Sequence, residues 1–418
     1  MRVKVYPGFA QGQIMVPPSK SLLHRSIICA CLANGKSIIK NVVYSDDIKA
    51  TINAFKTLGI QINKIENALE INGNNNLSIF GDEIIDCQES GSTLRFLLPI
   101  LTNKKGIYFT GKESLLNRPL NVYDDVFKTS DITFERREKL LFLKNELKPG
   151  NYEVLGNVSS QFISGLLLTL PLKDGDSTIT ITGDLESKKY VDMTIDVMSK
   201  FGINITIKDN VYFIKGNQKY KPTEYKVESD FSQLAFFAVA GIINGDVKIV
   251  NSANESLQPD VEIINIIKKM GGKVFKEKHT LRFVKSNTRG IDIDVSQHPD
   301  IAPIISILSA LSEGSSNILN AKRLRIKETD RLSAITQILT LLGIKCFSYE
   351  DKYNILGSDK FSANSFESYN DHRMVMSIAI AALRADGPLV INGAEAVNKS
   401  YPHFFEDLES LGINVEYL

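Results

Sequence analysis

The sequence has almost no net charge. Its 418 residues include 49 lysines and arginines and 48 aspartates and glutamates, which gives a formal charge of +1. Proteins that bind nucleic acid usually carry a strongly basic field, and this balance provides no global field of that kind. We therefore expect no nucleic-acid partner.

Long apolar runs are also missing. The longest stretches, such as FISGLLLTLPL, fall far short of the ~20 residues that a helix needs to span a bilayer. The N-terminus enters a strand-like pattern directly and shows no apolar core of a signal peptide. With 43% apolar residues, the composition is typical of a soluble globular protein. We expect no membrane partner and a cytoplasmic location.

Cysteine and histidine are scarce. Cys29, Cys31, Cys87 and Cys346 have no metal-ligand spacing, and the five histidines form no HxH or HxxxH pair. This pattern predicts reduced core thiols and no metal site. A Walker loop, a GxGxxG fingerprint and a nucleophile elbow are absent from the sequence as well. Any phosphate recognition should therefore differ from that of nucleotide-binding proteins.

A repeated helical segment is the main feature that the sequence does have. Six apolar stretches begin with small polar residues and end at glycines about 70 residues apart, namely Gly35, Gly106, Gly175, Gly245, Gly314 and Gly387. An amphipathic helix pattern follows each stretch, and short β-branched runs lie between the helices. The pattern predicts an α/β (α+β) fold in which the apolar helices are buried and the amphipathic helices lie outside.

Six such units exceed one ordinary hydrophobic core, so we expect two domains of three units each. The sixth unit is short, and the N-terminal strands RVKVYPG and GQIMVP would complete it. The predicted domains are residues 19–227, and residues 1–18 together with 228–418. The chain would cross twice between them, near Pro17–Pro18 and near Lys226–Ser229, which predicts a hinge and an interdomain cleft.

The helix openings carry cations where the helix dipole disfavours them. Arginine or lysine occurs at or near the start of helices of both kinds, at Lys20, Arg25, Arg95, Arg118, Lys327, Arg331 and Arg373. A helix N-terminus has unpaired N–H groups and a partial positive charge, so a bound anion would explain these cations. Each residue alone could also belong to a surface ion pair. Their equivalent placement favours a small ligand with more than one phosphate or carboxylate.

Uncharged and acidic groups accompany these cations. Ser159, Ser160 and Gln161 open the third apolar helix and could bind phosphate through hydroxyl and backbone N–H groups, although Ser159 could be an ordinary N-cap. Asp300 opens the fifth apolar helix, and Glu328 lies beside Lys327. Carboxylates in such places suit proton transfer. Asp300 could equally serve only as a partner of the helix dipole.

Several motifs at these positions resemble those of one family over the whole chain. They are PSKSLLHR, SGSTLR, NRP, VSSQF, SKKYVD, HPD, KETDRL and YNDHRM, with the late Lys399. The chain thereby resembles the 5-enolpyruvylshikimate-3-phosphate synthase family, the 3-phosphoshikimate 1-carboxyvinyltransferases of the shikimate pathway. The resemblance implies a two-domain inside-out α/β barrel of six βαβαββ units, three per domain. It also implies a monomeric, cofactor-free enzyme that is a target of glyphosate.

The resemblance implies roles for individual residues. Asp300 would be the base at the reacting hydroxyl, Glu328 would shuttle a proton at the methylene carbon, and Lys20 would also be catalytic. Shikimate 3-phosphate would be bound, mainly by the 19–227 domain, through Lys20, Ser21, Arg25, Ser159, Ser160, Gln161, Ser187, Tyr190, Asp300 and Lys327. Phosphoenolpyruvate would be bound through Lys20, Gly91, Arg118, Gln161, Arg331, Arg373 and Lys399.

Two residues depart from the better-known members of the family. Glu89 and Arg323 stand where asparagine occurs in other members, so neither is assigned to the site. One alternative is UDP-N-acetylglucosamine enolpyruvyl transferase, which shares the fold and the chemistry. That enzyme has asparagine where this chain has Ser21, and a cysteine in the loop that reads GKESLLNRP here. The other alternative is a non-catalytic binding protein with the same fold.

Overall fold

The computed structural model describes residues 1–77, 79–253 and 255–418. Within it the chain forms two compact units. We name Pro18–Glu228 the continuous unit, and Met1–Pro17 with Ser229–Leu418 the split unit. These bounds differ by one residue from the predicted ranges 19–227 and 1–18 with 228–418. Among the residues described, no helix combines the length and the apolar character that crossing a membrane requires.

The chain starts in the split unit with β1 (Arg2–Val5) and β2 (Ala10–Ile14). The elements of the continuous unit follow in chain order: α1 (Lys20–Leu32), β3 (Gly35–Lys40), α2 (Asp46–Thr57), β4 (Gln61–Ile65), β5 (Ala68–Gly73), β6 (Ile84–Asp86), α3 (Gly91–Ile100), β7 (Asn103–Thr110), α4 (Glu113–Leu116), α5 (Asn121–Thr129), β8 (Thr133–Arg137), β9 (Leu140–Asn145), β10 (Asn151–Leu155), α6 (Ser160–Thr169), β11 (Ser177–Thr182), α7 (Lys188–Lys200), β12 (Ile205–Lys208), β13 (Val211–Ile214) and β14 (Glu224–Lys226). A 3₁₀ turn at Leu170–Leu172 follows α6.

The remaining elements belong to the split unit: α8 (Phe231–Asn244), β15 (Gly245–Val250), α9 (Glu262–Lys269), β16 (Lys273–Glu277), β17 (Thr280–Val284), β18 (Asp292–Asp294), α10 (Ala302–Ala310), β19 (Ser315–Leu319), α11 (Arg331–Leu341), β20 (Cys346–Ser348), β21 (Tyr353–Leu356), β22 (Ser365–Glu367), α12 (His372–Ala381), β23 (Leu389–Asn392), α13 (Phe404–Ser410) and β24 (Val415–Tyr417). Its 3₁₀ helices are Pro259–Val261, Pro299–Ile301, Lys322–Ile326, Ala382–Arg384 and Ala394–Lys399.

Each unit contains three four-stranded sheets of one design among its described residues. The strand orders are β14-β3-β5-β4, β6-β7-β9-β8 and β10-β11-β13-β12 in the continuous unit, and β2-β15-β17-β16, β18-β19-β21-β20 and β22-β23-β1-β24 in the split unit. The first two strands of every sheet pair in parallel, and the others pair antiparallel. This pattern confirms the expected six βαβαββ modules.

The N-terminal strands do not both belong to the sixth module. As expected, β1 pairs with β23 and β24 of that module. The expectation was wrong for β2, which pairs in parallel with β15 and supplies the first strand of the fourth module. The reason is that β14, the strand immediately before α8, pairs with β3 in the first module. The fourth module therefore lacks a first strand from its own stretch of chain, and β2 takes that place.

The apolar helices form the core of each unit, as their composition predicts. Every residue of α12 is buried, and so is every residue of α8 except the last, Asn244. Within the split unit α8, α10 and α12 pack against one another, while in the continuous unit α3 contacts both α1 and α6. The outer helices, such as α7, bury only one side. Cys29, Cys31 and Cys87 are free core thiols, whereas Cys346 is free but only half-buried.

Helices α3 and α6 approach each other at Gly165. A Cβ atom there would lie 2.7 Å from the carbonyl oxygen of Arg95 and would clash with the Tyr123 hydroxyl. That hydroxyl donates a 2.6 Å hydrogen bond to the same carbonyl, so the contact cannot relax without losing a buried bond. The missing side chain at Gly165 thus allows the close packing that brings the starts of these two helices together.

We expect Gly165→Ala to lower the free energy of unfolding by about 1–3 kcal/mol, because the methyl group overpacks the α3–α6 contact. Gly150→Ala is the matched control, since a Cβ atom at Gly150 meets nothing within 4 Å. Urea unfolding of both variants measures the difference. Equal stability of the two variants would show that the α3–α6 contact tolerates a methyl group.

Candidate active site

Serine side chains cap the starts of three core helices in the continuous unit. Ser19, Ser90 and Ser159 accept hydrogen bonds from the backbone N–H groups of Leu22, Thr93 and Gln161, at 3.5, 3.1 and 3.3 Å. These bonds satisfy part of the unpaired donors at each helix start. The helices then begin at Lys20, Gly91 and Ser160, so the capped turns present the residues that the sequence analysis singled out.

Lys20 has a partner that the sequence did not reveal. Its ammonium group lies 2.6 Å from a carboxylate oxygen of Asp47 at the start of α2, and both side chains are mostly buried, at 15% and 13% exposure. An acidic residue in the first turn of a helix has an ordinary explanation as a dipole partner. Sequence reasoning therefore gave no cause to connect Asp47 with Lys20, which is 27 residues away.

Arg25 is 2% exposed and is held on three sides. Its Nε donates to the Thr194 hydroxyl at 2.7 Å, Nη1 donates to the Ser21 carbonyl at 2.8 Å, and Nη2 donates to the Tyr190 carbonyl at 3.1 Å. The guanidinium carbon also lies 5.0 Å from the centre of the Phe96 ring. Burial lowers the pKa of Arg25 to about 10, so the group remains charged at neutral pH. The structure thus places the backbone of Ser21 and of Tyr190 against Arg25, and the shared binding role of these residues remains a prediction.

Gly91, Arg118 and Gln161 also lie together. A Cβ atom at Gly91 would be 2.9 Å from Nη1 of Arg118, 3.4 Å from Nη1 of Arg95 and 3.8 Å from Oε1 of Gln161. Arg95 donates to that same oxygen at 2.7 Å, and the Gln161 amide donates to the Ser92 hydroxyl at 2.9 Å. Arg95 and Ser92 were not in the predicted set, although Arg95 was recognised as a cation near a helix start.

Ser187 stands at the N-terminal end of α7 with φ of 55°. This left-handed conformation is uncommon for a residue with a side chain and often marks a functional site. The residue is almost completely buried. Its predicted role toward phosphate remains a prediction.

Asp300 is the centre of the charged cluster in the split unit. One carboxylate oxygen lies 3.0 Å from Nη1 of Arg331 and 3.3 Å from Nζ of Lys327. The other oxygen accepts a hydrogen bond of 3.0 Å from Nη2 of Arg373, and Nη1 of Arg373 donates to the Asp300 carbonyl at 3.1 Å. Three predicted cations thus converge on the predicted base.

Arg331 is completely buried and has two further carboxylate partners. Its Nη2 lies 2.6 Å from Glu328, and its Nε lies 2.7 Å from Asp371, whose side chain is also fully buried. Asp371 additionally caps α12 by accepting a 2.9 Å bond from the Arg373 backbone N–H. The ion pair with Arg331 was missed in the sequence because it spans 40 residues.

Electrostatics in this cluster opposes easy proton uptake by Asp300. Burial alone would raise the pKa of its carboxyl group, but Arg373, Lys327 and Arg331 together hold it well below the ordinary range. Burial lowers the pKa of Lys327, although Asp300 opposes this change. Asp300 is therefore an ionised but weak base while all three cations face it.

Lys399 ends the 3₁₀ helix Ala394–Lys399 and donates to the carbonyl of Asn370 at 2.5 Å. That carbonyl belongs to the turn just before α12. The two residues that the sequence analysis left unassigned have other surroundings. Glu89 pairs with Lys112 at 3.3 Å. Arg323 is buried, and its positive charge lies close enough to Lys327 to lower the pKa of Lys327. Among the described residues, no group of three or more histidine, cysteine, aspartate or glutamate side chains is arranged to hold a metal ion.

Asp260 is a second buried acid that sequence reasoning missed. It is 2% exposed and lies in the 3₁₀ helix Pro259–Val261, where an aspartate normally serves the helix dipole. The Ser232 hydroxyl, at the start of α8, donates to its carboxylate. Burial, with a smaller contribution from the negative charge of Asp300, raises the pKa of Asp260 to about 6, although Arg373 opposes the rise. The charges of this cluster therefore extend beyond the predicted residues.

Two units of three βαβαββ modules, with cations and serines at the helix starts, define the class of enolpyruvyl transferases. The chain belongs to the EPSP synthase family: the family model for EPSP synthase (3-phosphoshikimate 1-carboxyvinyltransferase) matches residues 7–408.

Individual relatives agree with this assignment. A 3-phosphoshikimate 1-carboxyvinyltransferase of Clostridium acetobutylicum is 48% identical over 425 residues, which cover 99% of this chain and 98% of the relative. One of Clostridium novyi is 46% identical over 423 residues, covering 98% and 97%. Among solved structures, an EPSP synthase of Acinetobacter baumannii superposes with a TM-score of 0.82 at 27% identity and covers all of both chains. The two alternative functions are not favoured.

We expect the stability of Asp260→Asn relative to the unchanged protein to increase with pH. The pKa of Asp260 is about 6 in the folded protein, whereas the ordinary value, which applies to the unfolded chain, is 3.8. Between these two pH values the folded protein therefore holds a proton that the unfolded chain has lost. Stability therefore falls as pH rises toward and through 6. The asparagine amide does not titrate, so the variant does not lose stability in this way. The difference in the free energy of unfolding between the variant and the unchanged protein should change by on the order of 1 kcal/mol from pH 5 to pH 8.

Urea unfolding at several pH values measures this difference. Asp176→Asn is the control, because Lys215 lowers the pKa of that exposed carboxyl group and its ionisation should not change between pH 5 and pH 8. A pH-independent difference for Asp260→Asn would show that Asp260 is ionised throughout this range.

Proposed function

We propose that this chain is a 3-phosphoshikimate 1-carboxyvinyltransferase. It transfers the enolpyruvyl group of phosphoenolpyruvate to the 5-hydroxyl of shikimate 3-phosphate and releases phosphate, a step in the synthesis of chorismate and the aromatic amino acids. The observation that carries the proposal is the cluster at Asp300, where Lys327, Arg331 and Arg373 surround one carboxylate beside Glu328, in a chain of the EPSP synthase family. We expect the enzyme to be cytoplasmic and monomeric.

The reaction proceeds by addition and elimination. The methylene carbon of phosphoenolpyruvate gains a proton, and the 5-hydroxyl loses its proton as its oxygen bonds to the adjacent carbon. The resulting tetrahedral intermediate then loses a proton from the new methyl group and expels phosphate, which restores the double bond. Glu328 is suited to carry the methylene proton, Asp300 to receive the hydroxyl proton, and Lys20 to stabilise the developing negative charge.

The substrates divide between two sets of residues in this proposal. The continuous unit mainly binds shikimate 3-phosphate: Arg25 binds its carboxylate, while Lys20, Ser21, Ser159, Ser160, Gln161, Ser187 and Tyr190 bind the remaining groups, joined by Asp300 and Lys327. Phosphoenolpyruvate is bound by Lys20, Gly91, Arg118, Gln161, Arg331, Arg373 and Lys399. Cations and helix N-termini suit both anions, because each supplies charge-assisted hydrogen bonds.

Substrate binding also bears on the basicity of Asp300. Lys327 and Arg373, which should bind substrate anions, both pair with this carboxylate. Anionic groups of the substrates would compete for Lys327 and Arg373, and each cation drawn away raises the pKa of Asp300 toward a value useful for proton transfer. The base would thus become effective only when the substrates are present.

A phosphate-release assay tests the proposed function. Phosphate should appear only when shikimate 3-phosphate and phosphoenolpyruvate are both present, and not when UDP-N-acetylglucosamine replaces the former. Release with the sugar nucleotide would instead assign the related transferase, and no release with either acceptor would indicate a binding protein.

In the same assay we expect Glu328→Gln and Asp300→Asn each to lower kcat by ~10²–10⁴ with small changes in substrate binding, since each removes a proton carrier and keeps the shape. Glu350→Gln, at an exposed ion pair with Lys322, is the control and should retain full activity. Near-normal turnover of either site variant would contradict the role given to that residue.

We expect Gly91→Ala to weaken inhibition by glyphosate more than it weakens use of phosphoenolpyruvate. The added methyl group would lie 2.9 Å from Nη1 of Arg118, so this guanidinium must shift, and glyphosate is the longer of the two molecules. Both the inhibition constant and the KM for phosphoenolpyruvate should rise, the former by the larger factor. Unchanged sensitivity to glyphosate would show that Gly91 does not border the ligand.

A further inference from the structure

Arg25 uses three of its five N–H groups inside the protein. A guanidinium has one N–H on Nε and two on each terminal nitrogen. Nε donates to Thr194, Nη1 to the Ser21 carbonyl and Nη2 to the Tyr190 carbonyl. Within the described part of the chain, one N–H on each terminal nitrogen therefore remains for a ligand.

The positions of the acceptors determine which edge of the Arg25 guanidinium stays open to a ligand. The acceptors for Nε and Nη2 both lie on α7, and they are themselves joined by a 2.9 Å hydrogen bond from the Thr194 hydroxyl to the Tyr190 carbonyl. Two such adjacent acceptors match the edge that Nε shares with one terminal nitrogen. The second N–H of Nη2 then lies on the outer edge beside Nη1, and this edge suits bidentate binding of a carboxylate.

We propose that Thr194 is a positioning residue that, by holding Nε of Arg25, turns this outer edge toward the carboxylate of shikimate 3-phosphate. The inference rests on the proposed function and adds to it a residue that touches no substrate. Thr194 is completely buried in the middle of α7, one of the outer helices.

The Thr194 hydroxyl can hold Nε of Arg25 in a fixed position because all of its hydrogen-bonding capacity is used. A hydroxyl has one proton and accepts two bonds. Its proton goes to the Tyr190 carbonyl, so the Ser164 hydroxyl at 2.7 Å must donate to it, and Arg25 supplies the second accepted bond. Threonine also has few χ1 rotamers because it is β-branched. The acceptor for Nε is therefore fixed by α6 and α7 together.

A purely structural role for Thr194 makes different predictions. Thr194→Val keeps the shape and removes the acceptor, which leaves Nε of Arg25 unsatisfied. Ser164→Ala removes a buried bond to the same hydroxyl but leaves the Arg25 bond in place. A structural role predicts that both variants disturb stability and kinetics alike, whereas the positioning role predicts a selective loss in binding one substrate.

The test is calorimetric titration of shikimate 3-phosphate into the full chain, combined with steady-state kinetics. Thr194→Val should raise the Kd by about tenfold, while kcat and the KM for phosphoenolpyruvate change little when shikimate 3-phosphate is saturating. Thr194→Ser should restore most of the affinity because it returns the hydroxyl, and Ser164→Ala should change the Kd by less than about threefold. If Thr194→Val does not fold, Thr194→Ala takes its place.

A double-mutant cycle with Arg25→Ala separates the outcomes. In that background Thr194→Val should have almost no further effect on the Kd. An unchanged Kd in Thr194→Val, an equal rise in Ser164→Ala, or a full rise in the Arg25→Ala background would each overturn the proposal. Failure of the proposed function would look different, because the unchanged protein would then neither bind shikimate 3-phosphate nor release phosphate.

Discussion

The sharing of one carboxylate by three cations, at Asp300, is the constraint on which the rest of the site depends. A buried cation is costly unless an anion or several acceptors surround it, so a protein with buried cations must supply partners for them. In the split unit these partners are carboxylates that lie at the starts of helices. Asp300 comes from the 3₁₀ helix Pro299–Ile301 and Asp371 from the cap of α12. Arg331, with no exposed surface, depends on Asp300, Asp371 and Glu328 together.

The continuous unit meets the same constraint mainly with neutral acceptors. Arg25 is held by a hydroxyl and two carbonyls, and Arg95 is held by the amide oxygen of Gln161. Lys20 is instead paired with the carboxylate of Asp47. Neutral acceptors orient a cation without cancelling its charge, so an arriving anion need not displace a carboxylate. The buried arginines of the two units therefore differ in their partners, which are neutral acceptors for Arg25 and Arg95 and carboxylates for Arg331 and Arg373.

The sequence predicted those features that follow from local pattern, and it missed those that depend on distant pairing. Glycine spacing and apolar periodicity predicted the six modules and the buried core helices. The placement of β2 in the fourth module could not be read from the same pattern, since it depends on β14 pairing elsewhere. Asp47 and Asp260 were missed because aspartate in a first helical turn already has a local explanation. Thr194 gave no signal because a threonine in mid-helix is ordinary.

Asp260 and Asp300 show how one cluster can keep two carboxyl groups in different states. Asp260 is 2% exposed and the Asp300 side chain is 21% exposed, and their removal from water favours the neutral form of each. Three cations oppose that effect at Asp300, whereas at Asp260 the negative charge of Asp300 adds to it. The pKa values therefore move apart, which is the usual way that two nearby carboxyl groups acquire separate roles. Because Arg373 lowers the pKa of both carboxyl groups, their protonation states are linked through this one guanidinium.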